Sequence, residues 1–320
     1  MATARESRGR VRGVLLMSFG TAETVGDVPA YLANVRGGRA APSELVEEFQ
    51  RRFARVGGSP LTRITREQAA ALEDQLNRYG RETIYCVRAG MRNAPPFIAE
   101  ALVELADERA EDIVGIVLSP QYSPTILGEY LRAVENARAM LPPHVRIRVA
   151  GAWHDEPAFL DALAERVNQA LADLTPEQRL RIPVIFTAHS LPQHVAEGEP
   201  EYLAQLQMTA DAVAKRTRIA TDRWRFAYQS AGHTPEPWLT PDVKDLLPEY
   251  RVRGHDAVLV VPVQFLADHL EILYDIDVAA REEAAELGIA LLRPQSLNTL
   301  PRFIEALANV VRREFVEVAS

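Results

Sequence analysis

An α/β protein of two similar halves, each built on a parallel four-stranded sheet with helices on both faces, is predicted by three features of the sequence. Short apolar, β-branched runs alternate with longer stretches of helical periodicity, the signature of parallel strands joined by crossover helices. Eight such runs divide into two sets of four. A proline-led segment also recurs: "RNAPPFIAEALVEL", "HDEPAFLDALAERV" and "NTLPRFIEALANVV" each follow a strand and continue with apolar residues at helical spacing. The prolines alone mark only helix starts, but their repetition marks one supersecondary unit used again.

The predicted strands of the first half are "GVLLMSF" (13–19), "TIYCVRAG" (83–90), "IVGIVLSP" (113–120) and "RIRVAGAW" (146–153). Those of the second are "PVIFTAHS" (183–190), "RFAYQSA" (225–231), "AVLVVPVQF" (257–265) and "IALLRPQS" (289–296). Residues 1–11 read as a flexible leader, 12–160 as the N-terminal domain with an insertion at about 35–68, and 161–320 as the C-terminal domain, whose last helix can pack back on the first. Ligands of open parallel sheets sit outside the carboxyl ends of the strands, so the cleft between the halves is the expected site. Phe19 and His189 end the first strand of each half and should occupy equivalent places.

Composition narrows the classes of function. With 47% hydrophobic and 25% charged residues, the 320-residue chain is ordinary for a globular protein. A formal charge of −8 without a long basic run gives no source for the phosphate neutralisation that nucleic-acid binding needs. The single cysteine, Cys86, excludes an intramolecular disulfide and a four-cysteine zinc or iron–sulfur site. The N-terminus has no apolar segment of the secretory kind, and "AVLVVPVQFLA" (257–267) is too short to cross a bilayer, so a cytoplasmic location is expected.

Three stretches carry candidate chemistry. In "RIPVIFTAHSLPQHV" (181–195) an imidazole stands at a strand tip, where it can bind a metal or move protons, or simply hydrogen-bond the following turn. In "VQFLADHLEILYDIDVAAREEAAEL" (263–287), Asp268, Glu271 and Asp275 fall at i, i+3 and i+7, a stripe on one helix face. Such a stripe is commonly the polar side of an amphipathic helix, but this helix starts where the cleft should be. The insertion carries Arg36, Arg39, Arg51, Arg52 and Arg55, which suit a carboxylate-rich ligand or, equally, pairing with Glu44, Glu47 and Glu48 on a solvated helix. There is no G-x-S-x-G, H-E-x-x-H, phosphate loop or dinucleotide fingerprint, and Cys86 reads as a small core residue.

The order "LLMSFGT", "RGGR", "GGSPLTRIT", "MRNAPPFI", "LSPQYSPTILGEY", "TAHSLP", "YQSAGHTPEPWLTPDV", "FLADHLEILYDID" and "SLNTLPRFIEAL" resembles the ferrochelatase family over about residues 12–312. The resemblance implies two Rossmann-like domains related by internal duplication and insertion of Fe2+ into a porphyrin in haem biosynthesis. It places the family's metal site on His189 and Glu271; Asp275, from its place in the acidic stripe, is expected to extend the acidic route outward. Resemblance to short bacterial members assigns Phe19, Arg36, Arg52, Phe53, Ser59 and Tyr130 to the porphyrin cleft.

Phe19 departs from a tyrosine that contacts product iron in several members; it offers a ring for stacking but no oxygen for ligation. The resemblance to short Gram-positive enzymes, "FGT" and "RGGR" here, makes coproporphyrin III the expected substrate. Protoporphyrin IX, a cobalt or nickel chelatase of corrin-type biosynthesis, and a haem- or porphyrin-binding module are the alternatives. No permanently bound cofactor is expected, iron being a substrate, and a monomer is the expectation. Transient contact of the cleft lips with a membrane or a haem-pathway partner is compatible with the sequence.

Overall fold

The computed structural model describes residues 10–79, 82–232 and 234–316; residues 1–9 of the predicted leader lie outside them. All eight predicted strands are present and parallel to their neighbours. In the first half, β1 (Arg10–Ser18), β2 (Thr83–Met91), β3 (Asp112–Val117) and β4 (Arg146–Val149) are ordered β2-β1-β3-β4. In the second, β5 (Val184–His189), β6 (Trp224–Gln229), β7 (Ala257–Pro262) and β8 (Ala290–Leu292) are ordered β6-β5-β7-β8. The same order twice makes β1 and β5 equivalent. β1 starts at Arg10, so the last two residues of the expected leader are already strand, and Phe19 follows the strand end instead of forming it.

Among the described residues, twelve α-helices and one π-helix follow in chain order. The first half holds α1 (Val28–Val35), α2 (Ser43–Val56), α3 (Leu61–Asn77), α4 (Ile98–Asp107) and α5 (Pro124–Ala137). Next come α6 (Pro157–Ala172), α7 (Pro176–Arg181), α8 (Gln193–Gly198), α9 (Pro200–Thr217) and α10 (Val243–Val252). A π-helix (Ile272–Ala280), α11 (Arg281–Glu286) and α12 (Pro301–Val316) complete the set. Two of the repeated prolines, Pro157 and Pro301, stand at the first helical position, where a missing N–H costs nothing. Pro96 instead precedes α4 by two residues. The boundary expected at residue 160 falls inside α6, and a turn and α7 follow before β5 begins.

The unbroken apolar run of β1 follows from burial on both faces. Leu15 and Met17 pack with residues of α4 and α5, while Val14 and Leu16 join a larger core with residues of α3, α6 and α12. That larger core also takes Val184, Phe186, Leu259 and Val261 from the second sheet, so one helical layer serves both. The opposite face of the second sheet, through Ile185, Val258 and Val260, meets α10, the π-helix and α11. α12 lies against the first half: Arg148 donates to the Glu314 carbonyl at 2.6 Å, and the Arg12 guanidinium stands 4.4 Å from the Phe315 ring centroid.

A polar seam reinforces this junction. The "LSPQYSPT" stretch bonds to α9 and the residue before it: Gln121 donates to Thr209 at 3.1 Å, the Tyr122 N–H to Gln205 at 2.7 Å, and Ser123 and the Thr125 N–H to the Glu199 carboxylate at 2.5 and 2.8 Å. The glycine pair ending α2 turns the chain into α3: Gly57 has φ 78°, and at Gly58, with φ 103°, a Cβ would stand 2.9 Å from the Glu23 carbonyl.

Phe303 of α12 is fully buried against Trp153 in the shared core. Phe303→Ala is expected to lower unfolding free energy by about 3–5 kcal/mol in urea titrations, through lost burial and the cavity left behind.

Candidate active site

His189, the last residue of β5, and Glu271, at the entrance to the π-helix, meet across the end of the second sheet with Nε2 and Oε2 3.6 Å apart. The strand tip is held from behind: the His189 N–H donates to Gln264 Oε1 at 3.0 Å, and Gln264 in turn donates to the Tyr202 hydroxyl at 2.6 Å. The other ring nitrogen, Nδ1, faces the Ser190 carbonyl, which only accepts, so it carries a proton. That leaves Nε2 as the edge turned toward Glu271. Trp238 and Phe265 flank the imidazole, with ring centroids 6.4 and 6.2 Å away. Gly232 makes room for that tryptophan, since a Cβ there would lie 2.5 Å from its ring.

A second imidazole, which sequence reasoning did not single out, also reaches Glu271. His269 Nε2 lies 3.5 Å from Oε2, with its Nδ1 against the Ala267 carbonyl at 2.9 Å. The "DHLE" spacing could have signalled it, because residues two apart at a helix entrance can approach the same carboxylate before the winding becomes regular. Among the described residues no group of three or more His, Cys, Asp or Glu closes on a point that could hold a metal ion.

Electrostatics makes the pair an ion pair. Burial alone would depress the His189 imidazolium, but the Glu271 carboxylate, the Ser190 carbonyl and Asp275 outweigh it and raise its pKa to about 9. Burial pushes Glu271 the other way, yet His189 and then His269 hold its carboxyl far below the usual range. Both side chains still meet solvent, 28% of His189 and 42% of Glu271. Two shallow hollows, each with room for about one water molecule, border Arg293 and Tyr122 instead.

The expected acidic stripe is only partly present. Asp268 precedes the helix and is held by the Ser296 hydroxyl at 2.7 Å and Asn298 Nδ2 at 2.8 Å, so it belongs to the scaffold. The segment beyond Glu271 winds as a π-helix, whose i→i+5 bonding is rare and recurrent at functional sites. Asp275, four residues on, lies 3.6 Å from Arg52. Burial raises its pKa, with Glu271 adding to the effect and Arg52 opposing it; the Ser230 hydroxyl approaches without closing a hydrogen bond of ordinary geometry.

The first half supplies the opposite wall. Phe19 is 38% exposed, with the Arg92 guanidinium 5.2 Å from its ring centroid and paired to Glu129 at 3.5 Å. Tyr130 of α5 is buried, which raises its pKa, and burial followed by the charge of Glu271 does the same to Tyr31 of α1. Arg92 and Tyr31 were not foreseen, because neither stands out until the fold brings them beside Phe19 and Glu271.

The insertion divides the expected arginines. Arg51 pairs with Glu47 at 4.0 Å on the solvated face of α2, and Arg55 with Glu282 at 3.0 Å. Arg36 and Arg39 are exposed at the end of α1 and in the loop beyond it. Arg52 pairs with Glu48 and stacks 5.0 Å from Tyr274, so it ties the insertion to the π-helix.

Two expected cleft residues are placed differently. Phe53 has no exposed surface and packs with Val28, Leu32 and Leu270 beneath the cleft. Ser59 is buried, and its hydroxyl accepts from the Leu270 N–H at 3.1 Å, anchoring the helix entrance to the first half. Cys86 is a poor nucleophile, since burial and then Glu108 push its thiol up to about 11.

The fold is that of tetrapyrrole chelatases. Solved structures that share it include SirB from Bacillus subtilis with Fe3+, at TM-score 0.56 and 11% identity over 95% of this chain and 94% of that one. CbiX, described as the terminal enzyme of sirohaem biosynthesis in denitrifying bacteria, matches at TM-score 0.54 and 12% identity over 95% and 98%.

Sequence comparison is more specific: the Ferrochelatase family matches residues 11–315, so the chain belongs to the ferrochelatase family and is a metal-inserting lyase of haem biosynthesis. It is 39% identical to the ferrochelatase of Deinococcus radiodurans, over 96% of this chain and 97% of that one. With the coproporphyrin III ferrochelatase of Geobacillus kaustophilus it shares 38%, over 96% and 97%.

NMR titration of the imidazole is expected to show His189 with a pKa near 9, falling in Glu271→Gln, where the remaining burial disfavours the imidazolium. Because the folded value is raised, the stabilisation is complete below the unfolded pKa of about 6.5 and is lost as pH rises through about 9. An unchanged His189 pKa in Glu271→Gln would contradict the pairing.

Proposed function

We propose that His189 and Glu271 are the metallation pair and that the substrate is coproporphyrin III. The observation that carries the first part is the 3.6 Å contact of an imidazole Nε2 with an ionised carboxylate at the tip of β5, the strand equivalent to β1. Iron insertion exchanges two pyrrole N–H protons for one Fe2+ and transfers no electron. An arriving Fe2+ would displace the proton between Nε2 and Oε2 to solvent, leaving a neutral imidazole and a carboxylate as donors to the dication. Once iron has passed to the pyrrole nitrogens, the vacated Nε2 takes one of the released protons. Asp275, its pKa raised by burial, is suited to receive the other and pass it outward.

The macrocycle has to be bent to expose its nitrogen lone pairs, and that strain is offset by binding energy from the remote propionates. Arg36 and Arg52 are the proposed propionate partners, with Phe19, Tyr130 and the aromatic residues about His189 bounding the ring. Phe53 and Ser59 support that wall from below. Coproporphyrin carries four propionates against two on protoporphyrin, which suits an arginine-bearing insertion. The names of relatives such as the Geobacillus kaustophilus enzyme favour the same choice. In this reading the enzyme acts in the cytoplasm as a monomer, and iron is substrate with no permanently bound cofactor.

His189→Ala and Glu271→Gln are expected to lower kcat/KM for iron insertion by about a hundredfold or more, as befits groups that contact the reacting metal. Either variant turning over near the parent rate while folded would remove that residue from the pair. Steady-state comparison of the two porphyrins should favour coproporphyrin III by at least about tenfold in kcat/KM, the scale of one charge-assisted hydrogen bond. Equal turnover of both would sink the substrate assignment.

A further inference from the structure

Arg293 follows β8 and is 10% exposed. Its Nε and Nη2 donate to the two oxygens of Asp277 at 2.9 and 2.6 Å, and Nη2 also stands 3.4 Å from Asp268 Oδ1. Its Nη1 donates to the Pro294 carbonyl at 2.9 Å and the Ser296 hydroxyl at 3.3 Å, which fixes the guanidinium to its own loop. Arg281 adds a second cation to Asp277 at 3.3 Å, so two acids are balanced by two bases.

The two acids bracket the catalytic segment. Asp268 lies just before the helix entrance, Asp277 lies within the π-helix, and Glu271 and Asp275 fall between them. Among the described residues, no hydrogen bond or ion pair joins Asp268, Asp277 or Arg293 to His189 or Glu271 directly.

A π-helix is rare and seldom extends beyond one turn, so this one needs an external hold. Rewinding the segment as α-helix would change both the length and the direction between residues 268 and 277. The present winding keeps both carboxylates within reach of one planar guanidinium, whose rigid fork matches two acceptors. The near end is fixed further by Asn298, at φ 45°. Its side chain accepts from the Asp268 N–H at 3.0 Å and donates back to Oδ2 at 2.8 Å, while its carbonyl accepts from Gln68 of α3 at 2.8 Å. The loop holding Arg293 is thus itself tied to the first half.

We propose that Arg293 is a positioning residue for iron insertion: by holding Asp268 and Asp277 on one guanidinium it keeps the segment between them in its wide winding and fixes where Glu271 meets His189. This rests on His189 and Glu271 being the metallation pair.

The test is steady-state kinetics on Arg293→Met, Arg293→Lys and Asp277→Asn, with porphyrin affinity from fluorescence quenching and stability from urea titration. His189→Ala and Glu271→Gln are run in the same series. Arg293→Met is expected to bind coproporphyrin III within about twofold of the parent but to lose about tenfold or more in kcat/KM for Fe2+, because small displacements of a reacting group are costly. Arg293→Lys keeps the charge yet cannot span both acids, so it should recover only part of the loss, and Asp277→Asn should fall in the same direction.

A lower urea midpoint with normal iron kinetics in the folded Arg293→Met protein would overturn the proposal by reducing Arg293 to a structural ion pair. Should Arg293→Met not fold, normal iron kinetics in both Arg293→Lys and Asp277→Asn would overturn it equally. Near-parent rates in His189→Ala and Glu271→Gln would instead overturn the assignment of the pair. Loss there without loss in the Arg293 variants would overturn only the positioning role.

Discussion

A carboxylate at the meeting point of two halves stays ionised only if cations and donors surround it, and the position of Glu271 imposes that demand on everything nearby. His189 and His269 bring their Nε2 edges to it, and each imidazole is oriented by a backbone carbonyl on its far side. The strand tip beneath His189 is pinned through Gln264 and Tyr202, while the helix entrance is pinned through Ser59 of the first half. Removing any one support leaves a polar group facing protein without its partner, so the site and the junction between halves are stabilised together.

Much of the fold was legible because parallel sheets buried on both faces leave unmistakable apolar runs. "LLM" in β1 and "VLVV" in β7 read as strands for that reason, and each half shows the same strand order. Helix geometry was less legible. The i, i+3, i+7 pattern of Asp268, Glu271 and Asp275 assumes α-helical winding, whereas Asp268 stands outside the helix and the rest winds as π. Apolar periodicity does not separate the two windings over so short a segment; the polar ties from Arg293 and Asn298 accompany the difference, and they come from residues at least sixteen positions away in sequence.

The candidate site was partly legible as well. His189 and Glu271 were marked by position at the carboxyl ends of strands and by the family resemblance, and the structure brings them together. Phe53 and Ser59 were assigned to the cleft by the same resemblance yet lie beneath the surface, since a resemblance does not separate wall from foundation. Arg92 and Tyr31 went unnoticed because their surroundings are assembled from β1, α1, β2 and α5 only on folding. The exposed Phe19 ring, lacking an oxygen, has the Arg92 guanidinium over it, so this wall presents a cation beside an aromatic face.

The single helical layer that α3, α6, α9 and α12 form between the two sheets has a mechanical consequence. Two domains joined by a thin linker can swing about it, but here the apolar core runs through from one sheet to the other. The halves therefore cannot close on a substrate as rigid jaws without tearing that core. Accommodation of a bulky planar molecule falls to the parts standing outside the shared layer, α1, α2 and the loops after the strands. Adjustable lips on a fixed base are the form of flexibility this architecture permits.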